Sequence, residues 1–310
     1  MGEYYLWGLF AVSLLVMLIY DIGFYQSRHT SMNYRQATNW SIVWVSIALV
    51  YGCAIWWFRD TENFITYITA YVVEKSLSLD NIFVFVMLFR SFKLPIPKQR
   101  RILSWGIIGA VIMRVIMIIL GITLINKFHW VIYIFGVFLI YTAYKFWNHE
   151  EVEKDPHQSL PYKLIMRYLP VNDDINSNKF WVRDTFKGRK IWVATPAFVV
   201  LVLVEFTDLV FAIDSIPAVL AITSDLLIVI TSNIFAIMGL RALYFLMANA
   251  IESFHYLGKG LSALLFFVGS KMLLVEFVKI PILVSLSVIL SILTISVIAS
   301  MIKSSRGKQV

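Results

Sequence analysis

The sequence predicts an all-α protein, a polytopic membrane helical bundle of about nine transmembrane helices. Of its 310 residues, 59% are apolar and only 15% are charged, whereas soluble domains average about 45–50% apolar and about 25% charged residues. Mean hydropathy is +0.76. The apolar residues also form runs of the roughly 20 residues that a helix needs to cross the hydrocarbon. Together these features indicate that lipid surrounds most of the chain.

Nine apolar runs reach spanning length. The first lacks a basic n-region and a small-residue cleavage site, so we interpret it as a retained helix and not a signal peptide. The third and sixth runs are longer than a span requires and contain acids, which predicts tilted or broken helices there. The runs cover residues 5–22, 40–58, 64–90, 102–125, 129–147, 192–222, 225–248, 257–277 and 281–301.

The basic residues predict the orientation of the chain. Eighteen Lys and Arg residues lie on alternate connections, and only Arg59, Lys127 and Lys279 lie on the opposite set. Because cytoplasmic loops carry the excess of basic residues, the N-terminus is expected outside and the C-terminus in the cytoplasm. The net charge of +8 follows these short loops, so it predicts no nucleic-acid partner.

Two groups of three helices share four rare features in the same order. Each group has two acids six residues apart, then a lone intramembrane arginine, then a histidine and a lysine sixteen residues apart. Because three is an odd number, the second group must enter from the opposite side, as in the inverted repeats of many secondary transporters. The residues are Glu74, Asp80, Arg114, His129 and Lys145 in the first group and Asp208, Asp214, Arg241, His255 and Lys271 in the second.

This repeat divides the chain into five segments. One of the five is a long loop, residues 148–191. It is charged and contains three prolines, so it is expected to be cytoplasmic and only partly ordered. Its His and Glu cluster favours a solvated loop over a metal sensor. The segments are two peripheral helices (1–63), the first three-helix repeat (64–147), the loop (148–191), the second three-helix repeat (192–277), and the last helix with a cytoplasmic tail (278–310).

Acids inside the spans are the strongest functional signal. A charge at the bilayer centre costs about 2.5–3.5 kcal/mol, so each acid must pair, bind a ligand or face the interior. On a straight helix, residues six apart point about 120° apart, so a break between Glu74 and Asp80 would let them share a ligand. Pro217 predicts a break in helix six, because it cannot donate to the carbonyl of Ile213. A carboxylate beside a free carbonyl favours cation binding.

The donors near these acids predict the class of metal. They are oxygen atoms, with no Cys or His among them, which favours Mg²⁺, Ca²⁺ or Mn²⁺ over Zn²⁺ or Cu⁺. Asp80 and Asp214 rank first because they hold equivalent repeat positions, and Glu205 ranks below the other acids because it has no counterpart. The candidate metal ligands are Asp80, Asp214, Glu74, Asp208, Glu205 and Asn81.

Five cations accompany the five acids and offer a structural alternative. Buried ion pairs could hold the bundle together without any ligand, although desolvation makes such pairs poor stabilisers and intramembrane charges usually mark pathways. We expect pairing or gating roles for Lys75, Arg114, Lys145, Arg241 and Lys271. No metalloprotease, serine-hydrolase or P-loop motif is present, so neither an enzyme nor an organic cofactor is predicted.

Three segments resemble conserved blocks of the TerC family: EKSLSLDNIFV at 74–84, VEFTDLVFAIDSIPA at 204–218 and TSNIFAIMGLRA at 231–242. The resemblance runs from the first helix to about residue 300 and is closest to the bacterial Alx-like branch. It implies Mn²⁺ export across the bacterial inner membrane within the LysE-type transporter superfamily, and links to alkaline-pH response and tellurium resistance. It also implies that the acids of the first two motifs bind the metal.

The resulting interpretation is a secondary exporter of Mn²⁺, the transported ion, held near the midplane by carboxylates of helices three and six. Without a nucleotide-binding motif, an ion gradient must drive export, and proton antiport is our hypothesis. Three alternatives remain: a membrane scaffold that passes metal to partner proteins, an oxyanion transporter using Arg114 and Arg241, and a purely structural bundle. The predicted partners are a divalent metal ion and the lipid bilayer.

Overall fold

The computed structural model describes residues 2–20, 34–128, 130–148, 156, 159–172, 179–186, 189–247, 256–278 and 280–307. Nearly all of this chain is helical, which confirms the predicted helical membrane bundle. The elements are α1 (Gly2–Ile19), α2 (Tyr34–Phe58), α3 (Thr61–Ser91), α4 (Ile96–Lys127), α5 (Val131–Asn148), α6 (Leu160–Tyr168), β1 (Trp181–Phe186), β2 (Arg189–Ala194), α7 (Pro196–Leu220), α8 (Leu226–Met238), α9 (Leu240–Met247), α10 (Leu257–Leu273) and α11 (Ile282–Gly307).

Six described helices are long and apolar enough to cross a membrane, and a seventh span results if α8 and α9 count as one bent helix. Two of the nine predicted spans fall outside this number for identifiable reasons. Helix α3 has 31 residues but carries Glu74, Lys75 and Asp80 in its middle, and α10 has only 17 residues. The count of nine therefore stays a prediction.

The helix break lies elsewhere than the sequence predicts. Helix α7 remains helical through Pro217, so the break predicted there is wrong. Helix α3 also continues through Glu74 and Asp80, so these two acids are not brought together by a break. The described break separates α8 from α9 at Gly239, with a bend of 41°. Lys75 Nζ donates to the Ala236 carbonyl oxygen at 2.9 Å. This cation binds the negative end of the α8 dipole, which stabilises the broken helix.

Helices α5 and α10 pack at very close range through glycine. A Cβ atom on Gly269 would lie 2.9 Å from the Gly136 carbonyl oxygen, and one on Gly136 would lie 3.1 Å from the Gly269 carbonyl oxygen. Next to this contact, Ser262 Oγ donates to the Ala143 carbonyl oxygen at 2.5 Å. Small residues are typical of membrane helices whose backbones touch. Residue numbers increase along α5 from Gly136 to Ala143, while those of their partners in α10 decrease from Gly269 to Ser262. The two helices therefore run antiparallel.

The described part of the predicted loop contains more structure than the sequence indicates. Helix α6 buries Ile165, and its Tyr162 ring lies 5.8 Å from the ring of Phe92 at the end of α3. Strands β1 and β2 form an antiparallel hairpin that leads directly into α7. Aromatic contacts anchor the described elements to the bundle, and the partial order of the whole segment stays a prediction. The His and Glu cluster at 149–157 lies outside the described residues, apart from Pro156.

Asp60 caps the N-terminus of α3. It accepts hydrogen bonds from the backbone N–H of Asn63 at 2.7 Å and from the Asn63 side chain at 2.8 Å, which hold the pKa of the Asp60 carboxyl below its usual value. A group with a lowered folded-state pKa contributes stability above its unfolded pKa and loses it as pH falls through the folded value.

We expect Asp60→Asn to reduce this pH dependence while keeping a cap, because asparagine also accepts from the helix N-terminus but does not titrate in this range. The measurement is the thermal midpoint of purified protein in detergent between pH 7 and pH 3. Wild type should lose more stability than the variant below pH 4. Parallel curves for the two proteins would contradict the assignment.

Candidate metal centre

Arg114 lies at the centre of the bundle and is 1% exposed. Its Nε and Nη2 atoms donate to the two carboxylate oxygens of Asp208 at 3.3 and 3.1 Å. Its Nη1 atom donates to Glu74 Oε1, to Asn233 Oδ1 at 3.0 Å and to Ser215 Oγ at 3.3 Å. This two-pronged pairing with a carboxylate is the geometry that the planar guanidinium favours. Helices α3, α4, α7 and α8 thus meet at one cation.

Glu74 and Asp208 are the buried acids of this centre, at 0% and 3% exposure. Asp208 also accepts from Asn81 Nδ2 at 3.1 Å. Two oxygens in the group, Glu74 Oε2 and Asn81 Oδ1, are buried and have no hydrogen-bond partner among the described residues. Two carboxylates share one guanidinium, so the centre carries one formal negative charge beyond its arginine. A bound cation or a proton would balance it.

One cavity, the Glu74 cavity, is lined by the residues of both oxygens, Glu74 and Asn81. Asp214 lies on its wall, half-buried, and accepts a hydrogen bond from Thr142 Oγ1 of α5 at 3.1 Å. Polar and apolar groups from α3, α4, α5, α7 and α10 line the cavity: Glu74, Leu77, Asn81, Arg114, Phe146, Phe211, Asp214, Ser215, Leu261 and Leu265.

A second cavity, the Glu205 cavity, is lined by Asp208, Glu205 and Arg241 among other residues. Glu205 is half-buried, and its carboxylate lies so close to α4 that a Cβ on Gly109 would collide with it. Arg241 Nη1 donates to Ser104 Oγ at 2.9 Å. Asp208 therefore lines the Glu205 cavity and also binds Arg114, which lines the Glu74 cavity.

The structure brings four of the predicted acids to this centre. Glu74 and Asp208, ranked second from sequence, form its buried core, while Asp214 and Glu205 lie on the two cavity walls. The side chain of Asp80 lies outside the described residues. Among the described side chains, no three Asp, Glu, His or Cys residues are placed to hold a metal ion by themselves.

The predicted cations divide into two groups. Arg114 pairs with two acids, which is the pairing role expected for some of the five cations. Lys75 instead binds a backbone carbonyl. Lys145 is exposed near the end of α5 and interacts electrostatically with Asp214, while Lys271 is half-buried. The pairing or gating roles of these two lysines stay predictions.

Sequence reasoning missed Asn233 and Thr142 as partners of the centre. Both were polar residues within apolar runs, which is the signal that could have identified them. By contrast, the hydroxyls of Ser76, Ser78 and Thr207 near the acids donate to carbonyls four residues earlier in their own helices. This backbone bonding satisfies the hydroxyl protons within each helix and could not be recognised without the helix geometry.

Comparison with known families assigns the chain. Residues 59–308 match the model described as "Integral membrane protein TerC family". The chain belongs to the TerC family. The matched range includes all four acids of the centre, together with Arg114 and Arg241, so the site belongs to the part of the chain that is typical of the family.

Curated TerC-like relatives cover almost the whole chain. An "Uncharacterized membrane protein STKORF319" of Myxococcus xanthus is 45% identical over 96% of this chain and 92% of its own length. A "Putative membrane-bound redox modulator Alx" of Escherichia coli K12 is 42% identical over 96% and 94%, consistent with the Alx-like branch. An "Uncharacterized membrane protein" of Rickettsia bellii is 40% identical over 96% and 97%. No solved structure shows significant similarity to this chain.

Proposed function

We propose that this TerC-family protein is a secondary transporter that exports Mn²⁺ from the cytoplasm. The observation that carries the proposal is the pair of buried oxygens without partners, Glu74 Oε2 and Asn81 Oδ1, on the wall of the Glu74 cavity. A buried polar atom is disfavoured unless water or an ion binds it. Asp214 supplies a second carboxylate on the same wall, so a divalent cation fits this position.

The ligand chemistry supports a hard metal ion. The polar atoms around the Glu74 cavity are carboxylate, amide and hydroxyl oxygens, which suit Mg²⁺, Ca²⁺ and Mn²⁺. The choice of Mn²⁺ among these rests on the family resemblance. We place Glu74, Asn81 and Asp214 as ligands from described side chains, and we keep Asp80 as a proposed ligand from its sequence position. Asp208 and Glu205 would guide the ion through the second cavity.

We further propose nine spans, with α3, α10 and the α8–α9 pair among them. Helix directions support this number. Gly106 and Gly121 of α4 lie against Val204 and Leu220 of α7, respectively. Residue numbers therefore increase in the same direction along both helices, so α4 and α7 run parallel. The antiparallel contact of α5 with α10 fits the same alternation. Both relations support crossings of the bundle by α5, α8–α9 and α10.

An inverted repeat is supported by contacts that exchange under the repeat relation. Lys145 and Lys271, the equivalent lysines of the two repeats, are 126 residues apart. With this offset, Gly136 is equivalent to Ser262, and Ala143 is equivalent to Gly269. Gly136 touches Gly269, and Ser262 bonds to Ala143. Each contact is therefore the image of the other, as an approximate twofold axis requires.

The acidic centre follows the same relation. Under the 134-residue offset between the acid pairs, Glu74 corresponds to Asp208 and Asn81 to Ser215. Asn81 bonds directly to Asp208, whereas Arg114 bridges Glu74 to Ser215. The two halves thus hold equivalent pairs in different ways. Such asymmetry about a central site supports alternating access, in which the halves exchange conformations.

Proton antiport is the proposed source of energy. Glu74, Asp208 and Asp214 carry two negative charges more than Arg114 neutralises, so either one Mn²⁺ or two protons would complete the charge balance. An exchange of one for the other couples export to the proton gradient. We place the protein in the bacterial inner membrane with its N-terminus outside, as the basic residues of the loops predict.

The alternatives differ in how well the contacts support them. An oxyanion site at Arg114 is weakened because two carboxylates already match its charge. A redox role, suggested by the name of the Alx relatives, finds a single cysteine in the sequence, Cys53, so an intramolecular dithiol exchange is excluded. A scaffold that passes metal to partner proteins would use the same ligands without net transport.

The test is Mn²⁺ flux in liposomes that contain the purified protein. We expect wild type to move Mn²⁺, and Asp80→Asn and Asp214→Asn to abolish the flux while the thermal stability of each variant stays near that of wild type. Dissipating the proton gradient should stop net movement. Mn²⁺ binding by wild type without any flux would favour the scaffold, and flux insensitive to the proton gradient would exclude antiport.

A further inference from the structure

Arg114 occupies the carboxylates that the proposed cargo would need. Among the described residues, its donor contacts are all made within the centre, and the bidentate pair takes both oxygens of Asp208. Its Nη1 atom binds Oε1 of Glu74, a residue that also lines the Glu74 cavity and whose Oε2 has no hydrogen-bond partner among the described residues. The guanidinium and a divalent cation therefore compete for the same negative charge.

We infer that Arg114 is a resident counter-cation that the metal ion displaces on binding and that drives the metal off on release. This inference rests on the proposed function and adds to it a residue that sets affinity and turnover. Arg114 is a positioning and competing group and not a metal ligand.

The surroundings of Arg114 supply a place for it to go. Besides the acids, its Nη1 contacts Asn233 Oδ1 and Ser215 Oγ, which are neutral acceptors on α8 and α7. When Glu74 and Asp208 turn to a metal ion, these acceptors can keep the guanidinium hydrogen-bonded. A short movement toward them avoids the large free-energy penalty of an unpaired buried charge.

A fixed structural ion pair would not predict the same behaviour. Removing Arg114 from a purely structural pair leaves two buried carboxylates without a partner, so stability and every function fall together. Removing a competitor also destabilises the metal-free protein, but the freed carboxylates then bind metal more tightly. The two interpretations therefore predict opposite changes in Mn²⁺ affinity.

The experiment compares Arg114→Gln, Arg114→Lys and wild type, purified in detergent and in liposomes. We expect Arg114→Gln to bind Mn²⁺ about tenfold more tightly than wild type, in line with measured couplings between close charges. Mn²⁺ should also raise its thermal midpoint more than that of wild type, and Mn²⁺ flux should fall because release is slowed. Arg114→Lys, a cation without the planar fork, should lie between them.

Lys75→Gln is the matched control. It removes one positive charge next to Glu74, but the Lys75 ammonium donates to a backbone carbonyl, so its loss frees no carboxylate. Its Mn²⁺ affinity should stay within about twofold of wild type, because the charge acts only at a distance. An equal gain in affinity for both variants would overturn the inference in favour of a general charge effect.

The outcomes separate this inference from the proposed function. If wild type transports Mn²⁺ and Arg114→Gln binds it no more tightly than wild type, Arg114 is a structural partner and the transporter stands. If wild type neither binds nor moves Mn²⁺, the proposed function fails first. If Arg114→Gln is too unstable to purify without metal, it should be purified in the presence of Mn²⁺. The inference predicts that Mn²⁺ then restores the yield of folded variant, because the freed carboxylates bind the metal.

Discussion

Asp208→Asn is expected to destabilise the protein by about 3–5 kcal/mol, the usual effect of removing one partner of a buried ion pair. Asp208 is 3% exposed and binds Arg114 through both carboxylate oxygens. An asparagine would place an amide group against the guanidinium and remove the matching charge. Mn²⁺ flux should be lost as well, because the variant also removes the acid shared by the two cavities.

The matched control is Glu205→Gln on the same helix, one turn away. Glu205 is half-buried and forms no ion pair with a described residue, so its neutralisation should leave stability nearly unchanged. Thermal and denaturant unfolding in detergent measure both variants, and liposome flux measures transport. Equal stability losses in the two variants would show that Asp208 has no special place in the fold.

Gly269→Leu is expected to have the second largest effect, about 1–3 kcal/mol or more, because extra volume in a tightly packed contact forces backbones apart. A Cβ at this position would lie 2.9 Å from the Gly136 carbonyl oxygen and 3.1 Å from Leu139 Cβ. The obstacle is backbone, which cannot rotate away as a side chain can. Helix α5 must then move relative to α10.

This displacement should also reach the metal centre. Helix α5 carries Thr142, which donates to Asp214, and Phe146, which lines the Glu74 cavity. We therefore expect weaker Mn²⁺ binding in Gly269→Leu, measured by calorimetry, together with a lower thermal midpoint. Gly258→Leu on the same helix is the control, because nothing lies within 4 Å of a Cβ there. Leucine favours a helix more than glycine does, so similar losses in both variants would mean that the close backbone contact of Gly269 is not responsible.

The sequence identified the class of protein and the chemistry of its centre. Composition and apolar runs predicted a helical membrane bundle, since the bilayer demands long apolar helices. The same demand makes each intramembrane charge conspicuous, and for this reason Glu74, Asp208, Asp214 and Arg114 could be found before any contact was known. The family motifs around these acids were recognisable for the same reason.

Local sequence rules failed where tertiary packing overrides them. Pro217 predicted a break, but proline in a membrane helix is tolerated when neighbouring helices support it, and α7 stays continuous. The break instead falls at Gly239, where Lys75 from α3 binds the Ala236 carbonyl at the end of α8. That interaction joins residues 161 positions apart, so nothing in the local sequence marked it.

Sequence by itself determined that this is a multi-span TerC-family membrane protein with acids and arginines in its core. Only the tertiary structure decided which of them meet. Spacing along a helix fixes the direction of a side chain but not its partner on another helix. For that reason Arg114, a candidate for pairing or gating, proved to hold Glu74 and Asp208 together, and the lower-ranked acids became the buried core of the centre.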